Sequence, residues 1–262
     1  MPKKVRTTDL RAMKERGERI AMLTAYDAAM ARIMDNAGVD VLLVGDSLGM
    51  VVMGFDTTVP VTVDMIVHHS KAVSHGTSRA MIVADMPFLS YQITIEEALR
   101  NAGRIIQEGG AEAVKIEGGR PIKEVVTRLV DIGIPVMGHL GLTPQAVHQL
   151  GGYRIQARDQ EGFKELLEDA HTLEEAGVFS IVLECIPPEA AQAVTEELKI
   201  PTIGIGAGPH CDGQVLVSYD MLGLLETVPT FVRKYANLSN CITEGVRNYV
   251  RDVREGRFPH ER

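Results

Sequence analysis

The sequence has little of what marks a secreted, membrane-bound or nucleic-acid-binding protein. Its three cysteines, Cys185, Cys211 and Cys241, are odd in number and include no CxxC pair, which speaks against a disulfide framework or a structural zinc site and for a reducing cytosol. Lys and Arg together number 27 against 35 Asp and Glu, a formal charge of −8. Neutralising a phosphate backbone needs a clustered basic excess, so no nucleic-acid partner is expected, and the charge serves solubility. No apolar run approaches the ~18 residues of a membrane span. The basic opening MPKKVRTTDLRAMKERGERI is not followed by the apolar segment of a secretory signal. No membrane partner and a cytoplasmic location are therefore expected. Linkers, low-complexity tracts and short internal repeats are missing as well.

What is present is a chain of 262 residues, 45% hydrophobic and 24% charged, able to bury a sizeable core within one domain. Apolar, β-branched runs at residues 20–25, 39–45, 81–85, 111–117, 135–139, 179–184, 201–206 and 215–219 read as strands. Their near-continuous hydrophobicity predicts burial on both faces. Amphipathic stretches at 28–37, 63–73, 95–108, 122–131, 162–176 and 188–198 read as helices, several stopped by glycine as at Ala176-Gly177. Eight strands with mostly helical connections predict an α/β fold, a (β/α)8 TIM barrel; an open doubly wound sheet is the alternative. A single domain over 1–262 is expected, with a C-terminal helical extension from about 232 whose helix packs outside the barrel or at a subunit contact.

The strands end in polar groups. The second runs into Asp46-Ser47, the third into Asp85, the fourth carries Lys115 and Glu117, the fifth reaches His139 and the sixth Glu184. In a barrel these ends converge on the rim where active sites are built. An Asp after a strand is often the N-cap of the next helix; in Asp85-Met86-Pro87 the proline disfavours that, because it pushes Met86 towards extended geometry. Two Asp and one Glu form a hard, oxygen-rich set that favours Mg²⁺. His139 reads as a hydrogen-bonding residue rather than a ligand. Lys115 and Glu117, two apart in a strand, share a face; Lys115 is either internally salt-bridged or a cation for an anionic substrate. Glu184, at the end of the apolar run Ile181-Val182-Leu183, is expected to be desolvated and suited to general acid or base work. The turn Gly204-Ile205-Gly206-Ala207-Gly208-Pro209 lacks the last glycine of GxGxxG and reads as a tight turn that could also hold a phosphate.

The blocks TAYDAAMA, LLVGDSLGMVVMG, TVPVTVDMIVHH, ADMPF, VKIEGG, GHLGLTPQ, GGYRIQAR, VLECIP and GIGAGPHCDGQVLV, spread over residues 24–217, make the chain resemble the ketopantoate hydroxymethyltransferase family, in the phosphoenolpyruvate/pyruvate-like barrel group. The resemblance implies that Asp46 and Asp85 bind Mg²⁺ with Glu117 assisting. It implies that Asp46, Ser47, Asp85 and Lys115 contact a 2-oxo acid, and that Glu184 is the proton acceptor. It further implies transfer of a one-carbon unit from 5,10-methylenetetrahydrofolate to 3-methyl-2-oxobutanoate, giving 2-dehydropantoate, within a homo-oligomer, a decamer in many members. In that reading Glu184 removes the C3 proton, and Mg²⁺ with Lys115 stabilises the enolate. Two other readings stay open on the residues: a Mg²⁺-dependent lyase or mutase of the same barrel group, and a non-catalytic 2-oxo acid sensor. No stretch reads as a pterin pocket.

Overall fold

The structure is a computed structural model that describes residues 3–152 and 154–259; Tyr153, inside the GGYRIQAR block, lies outside the described residues. Eight parallel strands close into a barrel in the order β1 to β8. They are β1 (Ile20–Thr24), β2 (Val41–Val44), β3 (Met81–Asp85), β4 (Ala113–Glu117), β5 (Val136–Gly141), β6 (Ser180–Glu184), β7 (Thr202–Ile205) and β8 (Gly213–Leu216). The chain divides into two compact units, Met1–Val215 and Leu216–Arg262. Among the described residues no helix is long and apolar enough to cross a membrane.

The helices are α1 (Thr7–Arg16), α2 (Ala28–Asn36), α3 (Leu48–Val51), α4 (Val63–Gly76), α5 (Ile95–Gln107), α6 (Lys123–Asp131), α7 (Val147–Leu150), α8 (Gln160–Ala176), α9 (Pro188–Glu197), α10 (Ser218–Met221) and α11 (Leu238–Arg254). Local chemistry sets their ends. Asp27 accepts from the amides of Ala29 and Met30 to start α2, and Thr62, Thr94 and Asp159 do the same for α4, α5 and α8. Gly177, at φ 96°, ends α8 in the left-handed conformation that the Ala176-Gly177 pair predicts. α11, in the second unit, has no buried residue.

Two expectations need correction. The last strand runs over Gly213–Leu216 rather than 215–219, and residues from Ser218 form the short helix α10. A Cβ at Gly213 would sit 2.5 Å from the Ile20 carbonyl oxygen and 2.7 Å from the Ile20 Cβ. The missing side chain therefore lets the chain approach β1 at this point, where the Ile20 amide donates to Asp212 O at 3.0 Å. Burial on both faces holds for β2, β3 and β4, whereas Ala21 in β1 and Gln214 in β8 are exposed. β7 and β8 are joined without a helix.

Helix α1 falls outside the amphipathic stretches of the sequence, because it buries one residue, Leu10, and so shows no apolar stripe. Val5 and Leu10 join the core cluster of Ile20, Met22, Val41, Leu43, Met81, Val83, Ala113, Met137, Val182, Ile203 and Val215. Strand side chains alternate between faces, and in β3 to β6 the core members Met81, Val83, Ala113, Met137 and Val182 share their face with Asp85, Lys115, Glu117, His139 and Glu184. In β3, β4 and β5 the inward face thus changes from apolar to polar, with the polar groups at the C-terminal end.

Candidate active site

Register makes the first contacts. Asp85 pairs with Lys115 across β3 and β4, Glu117 with His139 across β4 and β5, and Gly141 with Glu184 across β5 and β6. Lys115 Nζ stands 2.9 Å from Asp85 Oδ1 and 4.0 Å from Glu117 Oε1. Of the two carboxylates, Asp85 is the near partner. His139 Nδ1 lies 3.1 Å from Lys115 Nζ and 3.3 Å from Glu117 Oε1, while its Nε2 lies 3.1 Å from Glu184 Oε2. Asp46, Asp85, Lys115, Glu117 and His139 are all buried.

The loop after β2 adds Asp46 and Ser47. The Asp46 amide donates to Asp85 Oδ2 at 2.9 Å, so the backbone of one acidic residue orients the side chain of the other. Neither Asp caps a helix: the N-cap of α3 is Ser47, which makes no side-chain capping bond, and no helix starts at Met86. The Ser47 hydroxyl and the Tyr26 hydroxyl are 2.9 Å apart. Gly45 and Gly49 have different roles. A Cβ on Gly45 would sit 3.0 Å from Ser47 Oγ and 3.4 Å from Asp85 Oδ2. A Cβ on Gly49 would sit 2.5 Å from Val61 Cγ2, so Gly49 admits a packing contact rather than a ligand.

Electrostatics follow from burial and crowding. Asp46 is pushed well above the usual carboxylate range by burial, then by the charges of Asp85 and Glu117. Burial acts on Glu117 in the same sense, but the close approach of His139, then the charges of His139 and Lys115, outweigh it and hold Glu117 below its ordinary value. For His139, burial and Lys115 press the pKa down, yet bonding to Glu117 and Glu184 wins and lifts it to about 9. Glu184 is not walled in by apolar groups as its strand suggested; its side chain is 16% exposed and faces His139. Burial, then Glu184, pushes the Cys185 thiol up to about 11, which disfavours a thiolate nucleophile.

The donor set fits a divalent cation. Buried Asp85 and Glu117 flank the Lys115 ammonium, and buried Asp46 adjoins them through its amide on Asp85 Oδ2. Glu117 Oε1 is buried without a hydrogen bond, and Asp85 Oδ1 meets Lys115 off the hydrogen-bonding direction. Among the described residues no three His, Cys, Asp or Glu side chains are already gathered into a cage. Asp46 and Asp85 are hard oxygen donors of the kind Mg²⁺ takes, one or two carboxylates with its other positions left to water or substrate oxygens.

Two residues of this network were not singled out from the sequence. The Tyr91 hydroxyl lies 3.0 Å from each of two acceptors for its one proton, Glu117 O and Gln145 Oε1, and accepts from the Glu117 amide at 3.2 Å. Gln145 donates from its backbone to Glu117 Oε2 at 3.0 Å and from Nε2 to Asp46 Oδ2 at 2.9 Å. The only sequence signal for Gln145 is its place in GHLGLTPQ, and Tyr91 lies in none of the blocks. In the glycine-rich turn, Gly208 has φ 76° and a Cβ there would meet Pro188 at 2.7 Å, which supports the tight-turn reading.

Comparison with known proteins identifies relatives of the chain. Residues 4–261 match the family model described as ketopantoate hydroxymethyltransferase. The chain is 56% identical over 260 residues to a 3-methyl-2-oxobutanoate hydroxymethyltransferase of Syntrophus aciditrophicus, covering 99% of this chain and 96% of that protein. It is 53% identical over 262 residues to the protein of the same name from Thermoanaerobacter sp. strain X514, covering 100% and 96%. Among solved structures, it is similar to 2,3-dimethylmalate lyase, a PEP mutase/isocitrate lyase superfamily member, with TM-score 0.62 at 18% identity, covering 100% of this chain and 92% of that one. It is also similar to phosphonopyruvate hydrolase in complex with oxalate and Mg²⁺, with TM-score 0.63 at 13% identity, covering 96% and 88%. At such identities the likeness establishes the barrel fold.

Proposed function

Because the chain belongs to the ketopantoate hydroxymethyltransferase family, we propose that its rim pocket transfers a hydroxymethyl group to 3-methyl-2-oxobutanoate, with 5,10-methylenetetrahydrofolate as one-carbon donor and 2-dehydropantoate as product. The observation that carries this reading is the inward polar layer, in which buried Asp46, Asp85, Lys115 and Glu117 stand beside the His139–Glu184 pair. Asp46 and Asp85, with Glu117 assisting, would hold Mg²⁺. When bound, the metal supplies Lewis-acid polarisation of the keto group and charge stabilisation.

The chain's own residues do the rest. Lys115, held by Asp85 at 2.9 Å, presents a fixed positive charge where negative charge grows on the keto oxygen, so little reorganisation is needed as the reaction proceeds. Ser47, with its hydroxyl oriented against Tyr26 at 2.9 Å, binds the substrate carboxylate. Glu184 accepts the C3 proton on a carboxylate whose Oε2 stands 3.1 Å from His139 Nε2. C3 then attacks the methylene carbon carried by the folate, and water releases tetrahydrofolate and supplies the oxygen of the new hydroxymethyl group. The reaction is assigned to the cytoplasm, in keeping with three free cysteines, and to a homo-oligomer, a decamer as in many members of the family.

A coupled assay for 2-dehydropantoate tests this function. Product is expected only when methylenetetrahydrofolate and Mg²⁺ are both present, and is abolished by chelator. Turnover of the 2-oxo acid without folate would instead place the chain with lyases or mutases.

A further inference from the structure

Gln145 follows β5 in a short 3-10 turn, Pro144–Ala146, and is 5% exposed. Its backbone amide donates to Glu117 Oε2 at 3.0 Å. Its side-chain Nε2 donates to Asp46 Oδ2 and to the Met86 carbonyl, both at 2.9 Å. Its Oε1 accepts from the Tyr91 hydroxyl at 3.0 Å and from Gln92 Nε2 at 3.4 Å. These partners fix which way the amide faces: turned over, Oε1 would oppose two acceptors, a carboxylate and a carbonyl. Tyr91 locks the other end, because its hydroxyl also meets Glu117 O at 3.0 Å and the Glu117 amide at 3.2 Å. One residue therefore grips two acidic side chains that come from different parts of the barrel, the β2 loop and the end of β4.

We propose that Gln145 is a positioning residue that holds Asp46 and Glu117 in the arrangement that takes up the divalent cation, with Tyr91 fixing its amide. This rests on the reading that those carboxylates hold the metal. Groups that orient metal-ligating carboxylates commonly change metal affinity by about 10- to 100-fold when removed. Gln145→Met keeps the backbone bond to Glu117 and the bulk of the side chain, but leaves Asp46 Oδ2 and the Met86 carbonyl without their donor. Tyr91→Phe keeps the ring and removes only the hydroxyl that anchors the amide.

The test is calorimetric titration of Mg²⁺ alone into the full-length, metal-free protein, with folding of each variant checked by circular dichroism. Gln145→Met is expected to weaken Mg²⁺ binding about 10- to 100-fold, Tyr91→Phe to weaken it several-fold, and Asp46→Asn to weaken it most. Wild-type Mg²⁺ affinity in both Gln145→Met and Tyr91→Phe, with affinity lost in Asp46→Asn, overturns the role of Gln145 and leaves the carboxylate reading standing. Wild-type affinity in Asp46→Asn overturns that reading and the role of Gln145 with it. Should Gln145→Met fail to fold, Tyr91→Phe decides alone, and unchanged Mg²⁺ affinity in it overturns the inference.

Discussion

His139 Nε2 and Glu184 Oε2 lie 3.1 Å apart on neighbouring strands, so the carboxylate that ends β6 stands against a ring that also reaches Glu117 and Lys115. Lys115 can donate to Nδ1 only when the ring is neutral, which leaves Nε2–H for Glu184; a protonated ring instead offers Nδ1–H to Glu117. The proton of this histidine therefore links the base to the charged layer.

Glu184→Gln removes the proton acceptor while keeping size and reach. Exchange of the C3 proton of 3-methyl-2-oxobutanoate into deuterated water, followed by NMR with Mg²⁺ present, should fall by about 10²- to 10⁴-fold, with binding of the 2-oxo acid largely intact. Exchange at the wild-type rate would remove Glu184 from its assigned role.

Lys115 and Asp85 form a buried pair whose side chains are 5% and 3% exposed. Removing one partner strands the other, at a cost of about 3–5 kcal/mol. Asp85→Asn and Lys115→Met should each lower urea stability of the metal-free protein by about that amount. The double variant should lose less than the two singles together, a coupling that independent sites would not show.

Gly141 and Gly133 share a backbone conformation, at φ 89° and 90°, but not their surroundings. A Cβ on Gly133 meets nothing within 4 Å, whereas one on Gly141 would overlap the Glu184 carbonyl oxygen, which accepts from the Leu142 amide at 2.8 Å. Gly133→Ala should therefore cost about 1–2 kcal/mol, the left-handed penalty alone. Gly141→Ala should cost more and also lower kcat, because it displaces Glu184. Thermal melts and steady-state kinetics on the pair separate the two effects.

His139 carries a pH signature in the metal-free protein. Its pKa is raised from the model-peptide value of 6.5 to about 9, so its contribution is fully present below about pH 6.5 and is lost as pH rises through about 9. The expected loss is on the order of 3 kcal/mol. Urea unfolding from pH 6 to 10 should show wild-type stability falling towards that of His139→Gln; a constant gap between them would show that the ring does not change charge over this window.

Much of this site was legible in the chain because its signals are local. Asp46, Asp85, Lys115, Glu117, His139 and Glu184 stand at or just beyond the ends of apolar runs, and a barrel sends all such ends to one rim. Alternation along a strand put Lys115 and Glu117 on one face before any contact was known. Where the local signal was weak, the reading slipped: α1 buries one leucine, and β8 starts at a glycine that hydrophobicity does not mark.

The sequence by itself determined the alternation of strand and helix, hence the barrel, and the chemical inventory of its rim, because both depend on periodicity and residue type. Only the tertiary structure decided who meets whom. That Asp85 rather than Glu117 is the near partner of Lys115 follows from strand register. That Gln145 grips Asp46, 99 positions away, follows from closure of the barrel, and that Gly49 serves packing follows from where Val61 arrives. Hydrophobic pattern is a property of neighbours along the chain, whereas hydrogen bonds and ion pairs depend on distances of about 3 Å that exist only once the strands have closed.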